Sequence, residues 1–406
     1  MKKFKRLFSA ISVLFIFGTT LLLAEIKVAP YYSLQFIEGA FIPNIGEWNF
    51  SINLLSDLGV IVKPQGSKHS FVGFYELKYM GPGLRSQEGE KFTDRAMDHM
   101  LVFRHTYNIS EIYFLKSQID YMKEYKRTGT NEVWGTGLYD FSRTGGLVSF
   151  GRKFSDKLSV AITEQYHFLD FPNYTDLFAE FQSGGENLES STGKQNHRLY
   201  QTGVSVDYYA NRFTFDIILQ NYIKQKVTVE TVQLDGTYYS SALQKDTIIT
   251  FADGYKQKLF EDKVDIEPTL SYKIKSSNQN YLHFKTVGST ETPTYYSDYY
   301  SYNELSFSVP LAFMLGEKWE VSSSPLFGIK TYSKRQTRDG DGNYTNEKQK
   351  NNLFLLNSGF TFKPNAVTRT TLFYVFQVQS SNMKFEKYLP YNYSASYIGI
   401  KFDYSY

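Results

Sequence analysis

The chain of 406 residues contains no cysteine, so it has no disulfide, no thiolate metal site and no cysteine to carry a lipid anchor. Histidine is scarce. None of the six (His69, His99, His105, His167, His197, His283) stands in an H-E-x-x-H or comparable metal spacing. No G-x-S-x-G, Walker A or G-x-G-x-x-G context occurs, which removes the usual signatures of hydrolases and nucleotide-dependent enzymes. No catalytic residue, metal ligand or cofactor is assigned, and no enzyme activity is expected. Beyond residue 24 there is no long apolar run, and mean hydropathy is −0.38.

The first 24 residues differ from the rest. Lys2, Lys3, Lys5 and Arg6 form a basic end, Leu7 to Leu23 is uncharged and largely apolar, and Leu22-Leu23-Ala24 precedes Glu25. This is the form of a secretory signal peptide cleaved after Ala24. Ser9, Ser12, Gly18, Thr19 and Thr20 weaken the alternative of a retained anchor helix. Its removal leaves 40 Lys and Arg (44 less these four) against 41 Asp and Glu, a net of −1. Nothing in that balance favours a nucleic-acid partner.

What the chain has in quantity is aromatics: 34 Tyr and 34 Phe, 17% aromatic in all. High aromatic content with low mean hydropathy suits a surface that is half in lipid and half in water, and it does not suit disorder. Period-2 segments fall near 30–38, 48–62, 69–80, 96–108, 110–124, 145–154, 157–169, 197–209, 211–224, 263–275, 279–287, 302–315, 318–332, 351–362, 366–379 and 393–406, which makes about sixteen strands. Without the first segment and one other the count is fourteen. Short turns at 63–67, 108–110, 155–157, 210–212, 276–278, 316–318 and 363–365 alternate with long stretches near 81–95, 125–145, 170–196, 225–262, 287–301, 333–351 and 380–392. Spans of ten or more residues suit a tilted membrane crossing better than a soluble sandwich, and no repeat of fixed period points to a solenoid.

One face can be read strand by strand. Leu305, Phe307, Val309, Leu311 and Phe313 alternate with Ser306, Ser308, Pro310 and Ala312; Phe213, Phe215, Ile217 and Leu219 alternate with Thr214, Asp216 and Gln220. Pro268 and Pro310 remove ladder donors and predict bulges or kinks. Glu164 falls on the apolar register of its segment and is expected at an interface or after a bulge.

The last ten residues carry the most telling pattern. Ile398, Ile400, Phe402, Tyr404 and Tyr406 share one face, and Tyr397, Gly399, Lys401, Asp403 and Ser405 the other, to the terminal residue. Tyr397, Gly399, Phe402 and Tyr404, followed by Tyr406, resemble the closing strand of bacterial outer-membrane β-barrels, whose polar-x-Gly-x-x-hydrophobic-x-hydrophobic pattern the insertion machinery reads. The resemblance implies an all-β fold: a transmembrane antiparallel up-and-down β-barrel at 25–406, with short periplasmic turns and long extracellular loops. It also implies residence in the bacterial outer membrane and contact with its lipid, lipopolysaccharide and barrel assembly machinery. A porin-like channel for small hydrophilic solutes is then the leading expectation. The alternatives are a surface-exposed binding or adhesion protein, and a lipophilic-solute transporter for which residues 25–47 would supply a short plug.

On that fold the inward register collects Glu76, Lys78, Arg104, Lys116, Asp120, Asp207, Asp216, Asp265, Glu267, Lys273, Arg369, Lys401 and Asp403. They read either as a salt-bridged hydrated wall or as a pore lining. Within the long stretches, residues 173–183 read as a short helix capped by Thr175 and ended by Gly184-Gly185. Asp235-Gly236 reads as a hairpin signal. Asp339, Asp341 and Asn343 match the start of a calcium loop, but Tyr344 and Lys350 break the match and leave a solvated loop tip. The tyrosine pairs 238–239, 295–296 and 299–300 suit sugar stacking, an aromatic girdle or loop packing.

Overall fold

The computed structural model describes residues 26–406 except 47, 83–94, 128–132, 175–192, 285–291 and 388–389. Among the described residues there is no helix, and sixteen strands close into one antiparallel barrel. They are β1 (Ile26–Pro43), β2 (Asn49–Pro64), β3 (His69–Pro82), β4 (Arg95–Asn108), β5 (Tyr113–Arg127), β6 (Phe141–Ser155), β7 (Leu158–Asp170) and β8 (His197–Tyr208). There follow β9 (Asn211–Thr228), β10 (Tyr239–Tyr255, continued by Gln257–Leu259), β11 (Val264–Ile266, continued by Thr269–Ser277), β12 (Tyr302–Ser308, continued by Leu311–Met314), β13 (Trp319–Arg338), β14 (Tyr344–Phe362), β15 (Thr368–Ser381) and β16 (Tyr393–Ser405). Each strand pairs with its sequence neighbour, and β16 returns to pair with β1.

The polarity of the two faces is the reverse of a soluble domain's. Among the most deeply buried side chains are Gln349, Thr337, Asp140 and Asp246, while Leu58 is 62% exposed and Ile400 56%. Exposed apolar residues recur at every second position: Leu101 and Phe103 on β4, Ile119 and Tyr121 on β5, Val148 and Phe150 on β6, Leu305 and Phe307 on β12. Most of their cross-strand partners carry the same character around the wall, so the outside forms an oily belt and the inside takes the polar set.

Closure is made where Gly39 faces Gly399. A Cβ on Gly399 would strike the Glu38 carbonyl oxygen and Gly39 Cα, and one on Gly39 would meet the Ile398 carbonyl and the Tyr397 ring. Two glycines in register let the first and last strands approach while the Tyr397 ring lies across the seam. Tyr397 is held from β2, one strand beyond the seam, by the Ser51 hydroxyl, which donates to its phenolic oxygen at 3.1 Å. Phe402 stands opposite Phe36, and the Tyr32 and Tyr404 rings lie 5.9 Å apart. The final residue completes the ladder: Tyr406 N–H donates to the Tyr32 carbonyl at 2.8 Å, and Tyr32 N–H to the Tyr406 carbonyl at 3.1 Å.

Sixteen strands stand, but two assignments made from sequence are wrong and cancel in the count. The segment 225–262 holds a full strand, β10, instead of one long loop. Among its described residues, the segment 279–287 holds only Tyr281–His283 as strand, paired with Thr294–Tyr296 in a separate two-stranded hairpin. With β10 in place, β11 runs in the opposite sense to that implied by the sequence, and 276–278 sits at the long-loop end. β13 and β14 likewise extend through most of 333–351, leaving a tip at 339–343. The N-terminal plug considered for a lipophilic-solute transporter is also overturned, because Ile26–Pro43 is a wall strand paired on both sides. The leader at 1–24, Thr175, and the remainder of the helix expected at 173–183 apart from Asn173 and Tyr174 lie outside the described residues.

Both prolines interrupt their strands as their missing donors demand. The neighbouring chain compensates: Glu267 N–H donates to the Pro310 carbonyl at 2.9 Å, and Val309 N–H to the Pro325 carbonyl at 3.0 Å. Glu164 is not displaced by a bulge. It faces outward in unbroken register between Val148 and Thr202, and the Thr202 hydroxyl donates to its carboxylate at 2.9 Å.

Gly399→Val is expected to abolish the folded, faster-migrating band of the unheated protein on a gel. Ser405→Val, lower on the same seam, is expected to retain it; a Gly399→Val barrel that migrates like wild type contradicts the closure argument.

Candidate functional site

The inner wall is the candidate site, and its register follows from the exposed series. Because neighbours across the ladder share a face, Asp120 lies with Val102 and Gly145, opposite in phase to Leu101 and Ile119. The sequence-chosen residues fall on this register as follows. On the β2–β5 side, Glu76 faces Asp57; Lys78 Nζ lies 3.9 Å from Asp98; the Arg104 guanidinium donates to Gln118 at 2.8 Å; and Lys116 sits over the Phe114 ring. On β8 and β9, Asp207 accepts from the Ser159 hydroxyl at 3.0 Å and lies 3.7 Å from Arg212, while Asp216 accepts from Gln201 at 2.9 Å.

Further round, Asp265 faces Lys258 and Lys273 faces Glu304, each at 3.9 Å. Glu267, at the Pro268 break, contacts Lys256. At the seam, Arg369 stands opposite Asp403, which lies 3.2 Å from Lys401 and accepts from Gln35 at 2.8 Å. The structure thus distributes these groups around the wall in local pairs and does not gather them into one cluster.

Three groups carry the densest electrostatics, and the sequence reading found only Asp120 and Lys273 among their charged members. Asp120, 2% exposed, lies 3.2 Å from Arg143 and 3.0 Å from His167 Nε2. Gln165 donates its amide to His167 Nδ1 at 3.0 Å, so Nδ1 accepts and Nε2–H donates to Asp120. Gly145 makes room for this, since a Cβ there would meet the His167 ring and the Tyr166 carbonyl. In the second group Asp246, 1% exposed, takes Lys275 at 2.9 Å, the Ser277 hydroxyl at 2.6 Å and the Gln244 amide at 3.2 Å. Glu304 is shared by Lys273 and Lys330, each at 3.9 Å. Arg143, His167, Asp246, Lys275, Glu304 and Lys330 were missed; the alternation rule applied to β6, β7 and β10 to β13 finds them once the strands are known.

At the long-loop end, Asp339 accepts from the Asp341 and Asn343 backbone N–H groups at 3.0 and 2.8 Å and from the Asn343 side chain at 3.2 Å. Those donors hold its carboxyl below the usual carboxylate range, the Asn343 backbone bond first among them. Its lone pairs shape the turn between β13 and β14. Among the described residues no group of three or more His, Asp or Glu is placed to hold a metal ion.

A closed sixteen-strand barrel with an oily exterior and a salt-bridged interior has the architecture of a bacterial outer-membrane β-barrel. No family model matches the sequence, and no curated protein matches it. Similar solved structures are bacterial outer-membrane proteins. One is OmpT, an outer membrane protein of Vibrio cholerae, at 10% identity over 95% of this chain and 99% of its own, with a TM-score of 0.46. An anion-selective porin from Comamonas acidovorans is 9% identical over 94% of this chain and all of its own, with a TM-score of 0.45. OccAB1 of Acinetobacter baumannii is 9% identical over 93% and 96%, with a TM-score of 0.47. No residue role is carried from them to this chain.

Asp120→Ala leaves Arg143 facing a neutral wall and is expected to destabilise the folded barrel by about 3 kcal/mol, in the range for breaking a buried ion pair. Adding Arg143→Met recovers part of that in denaturant titrations from lipid vesicles; a double variant worse than the sum of the singles refutes the pairing. The Asp339 turn has the sign of a depressed carboxyl: its stabilisation is complete above the ordinary carboxylate range and is lost as pH falls through the lower folded value. The Asn343 amide resonance is expected to shift upfield over that window, and an unchanged resonance in acid contradicts it.

Proposed function

We propose that the protein is an outer-membrane channel through which small hydrophilic solutes diffuse passively, with no chemical conversion. The observation that carries the reading is the reversed polarity of the wall, with Asp120, His167 and Asp246 inside and leucine, isoleucine and phenylalanine outside. A sheet of sixteen strands encloses more space than its own side chains fill, so a hydrated lumen is the geometric default. The lining assigned to it is Glu76, Lys78, Arg104, Lys116, Asp120, Asp207, Asp216, Asp265, Glu267, Lys273, Arg369, Lys401 and Asp403. Most of these charges lie opposite a partner of the other sign, so the lumen presents little net field to a passing ion.

The reading places the chain in the outer membrane of a Gram-negative bacterium, exported by cleavage after Ala24. Its β16 pattern (Tyr397, Gly399, Phe402, Tyr404, Tyr406) is then read by the barrel assembly machinery, and its belt is seated in lipid and lipopolysaccharide. A surface-binding role for the long-loop end draws support from β9, β13 and β14. Their 18, 20 and 19 residues exceed the roughly ten that a tilted strand needs to cross the hydrocarbon.

Purified protein in planar bilayers is expected to give discrete ohmic conductance steps, with a reversal potential near zero across a salt gradient. A silent barrel favours the anchored binding protein, and a strong cation or anion preference contradicts the balanced lining.

A further inference from the structure

A cavity of about 440 Å³ opens at the long-loop end, bounded by the upper parts of β9, β10 and β11 and by the hairpin Tyr281–His283/Thr294–Tyr296. The volume lies within the range of small-molecule sites. Six tyrosines and one phenylalanine line it, with a single aliphatic side chain, Leu282. Of the tyrosine pairs noted in the sequence, Tyr238, Tyr239 and Tyr300 reach this cavity, while Tyr299 stacks on Tyr281 with ring centroids 4.7 Å apart.

Three observations define what such a cavity takes. Among the described residues that line it, the only ionic groups, Asp246 and Lys275, neutralise each other at 2.9 Å, and Asp246 is further occupied by Ser277 and Gln244. No net charge is left to recruit an ion. The aromatic faces, Tyr238 and Phe284 set edge to face at 6.0 Å, offer flat surfaces to the C–H face of a ring.

Gln225 supplies the third. It is 8% exposed, lines the cavity, and its side-chain amide has no hydrogen-bond partner among the described residues. An amide that opens on the cavity and is not used by the wall is free to pair with a hydroxylated ligand, which offers it both a donor and an acceptor. The neighbouring amide is already committed. Gln279 accepts from Thr228 N–H at 2.9 Å and donates to the Lys226 carbonyl at 3.0 Å, which ties the chain after β11 to the end of β9. Gln279 therefore builds the wall and Gln225 faces the occupant.

We propose that this cavity binds an uncharged mono- or disaccharide, stacked on the tyrosine faces and hydrogen-bonded by Gln225. The site is separate from the question of conduction, because binding at the mouth needs no open lumen. The test is isothermal titration of the full-length barrel, folded in detergent, against glucose, maltose, cellobiose and lactose, with mannitol, adenosine and citrate as comparisons. Saturable binding of at least one of the saccharides, with none of mannitol, adenosine or citrate, is expected. Gln225→Leu and Tyr238→Ala are each expected to weaken it about tenfold while keeping heat-modifiable migration. Binding of none of the four saccharides overturns the proposal, as does comparable binding of adenosine or citrate. Saccharide binding unchanged in both variants overturns the assignment to this cavity.

Discussion

The backbone ladder cannot be left open in hydrocarbon, and every other feature of this chain is arranged around that constraint. A lipid-exposed N–H or C=O without a partner costs several kcal/mol, so a sheet that crosses a membrane must have no edge. Here each of the sixteen strands is paired on both sides, with β1 and β16 meeting at the glycine seam. Closure divides the side chains by parity alone. Ile398 and Ile400 go out, Lys401 and Asp403 go in, and a shift of one residue would exchange them. Within the belt, the polar set has no solvent but the enclosed space.

That enclosed wall handles charge by local pairing. Asp120 with Arg143 and His167, Asp246 with Lys275, and Glu304 between Lys273 and Lys330 satisfy one another along adjacent strands. The geometry depends on which residues stand beside them. Glycine at 145 clears the path by which the His167 ring reaches Asp120. At the prolines the wall loses donors, and the break at 268 is met by one at 310 on the adjacent strand, so the irregularity is confined to one patch near the short-turn end.

The fold was legible wherever inside and outside differ along a strand. β9, β12 and β16 each alternate large apolar residues with Ser, Thr, Asp or Lys, and their assignments stand. β10 was missed because its contrast is blurred. Thr247 and Asp253 share the outward phase with Ile249 and Phe251, Ile248 is inward, and the first third (Tyr239-Ser-Ser-Ala-Leu-Gln) reads as loop. The short Tyr281–His283 run has strand-like residues but too few to cross a membrane. The ends of β13 and β14 escaped notice because Ser333 to Arg338 and Tyr344 to Lys350 are polar on both faces, which suits a ladder standing in water beyond the belt. The wall charges were legible on strands whose phase was known, but their partnerships were not. Pairing across strands depends on register, and register is set by turns whose length the sequence only brackets.

The hydrogen bonds between Tyr32 and Tyr406 set an order of events. The two residues lie 374 positions apart, so the ring of strands has no way to shut until β16 has been made and has met β1. Until then any partly paired sheet presents two bare edges, each a template for pairing with another copy. The pairing of widest separation in the barrel wall is thus also the one that shuts it. A chain built this way has to hold β1 available until β16 arrives, and β16 is the part that removes both edges at once.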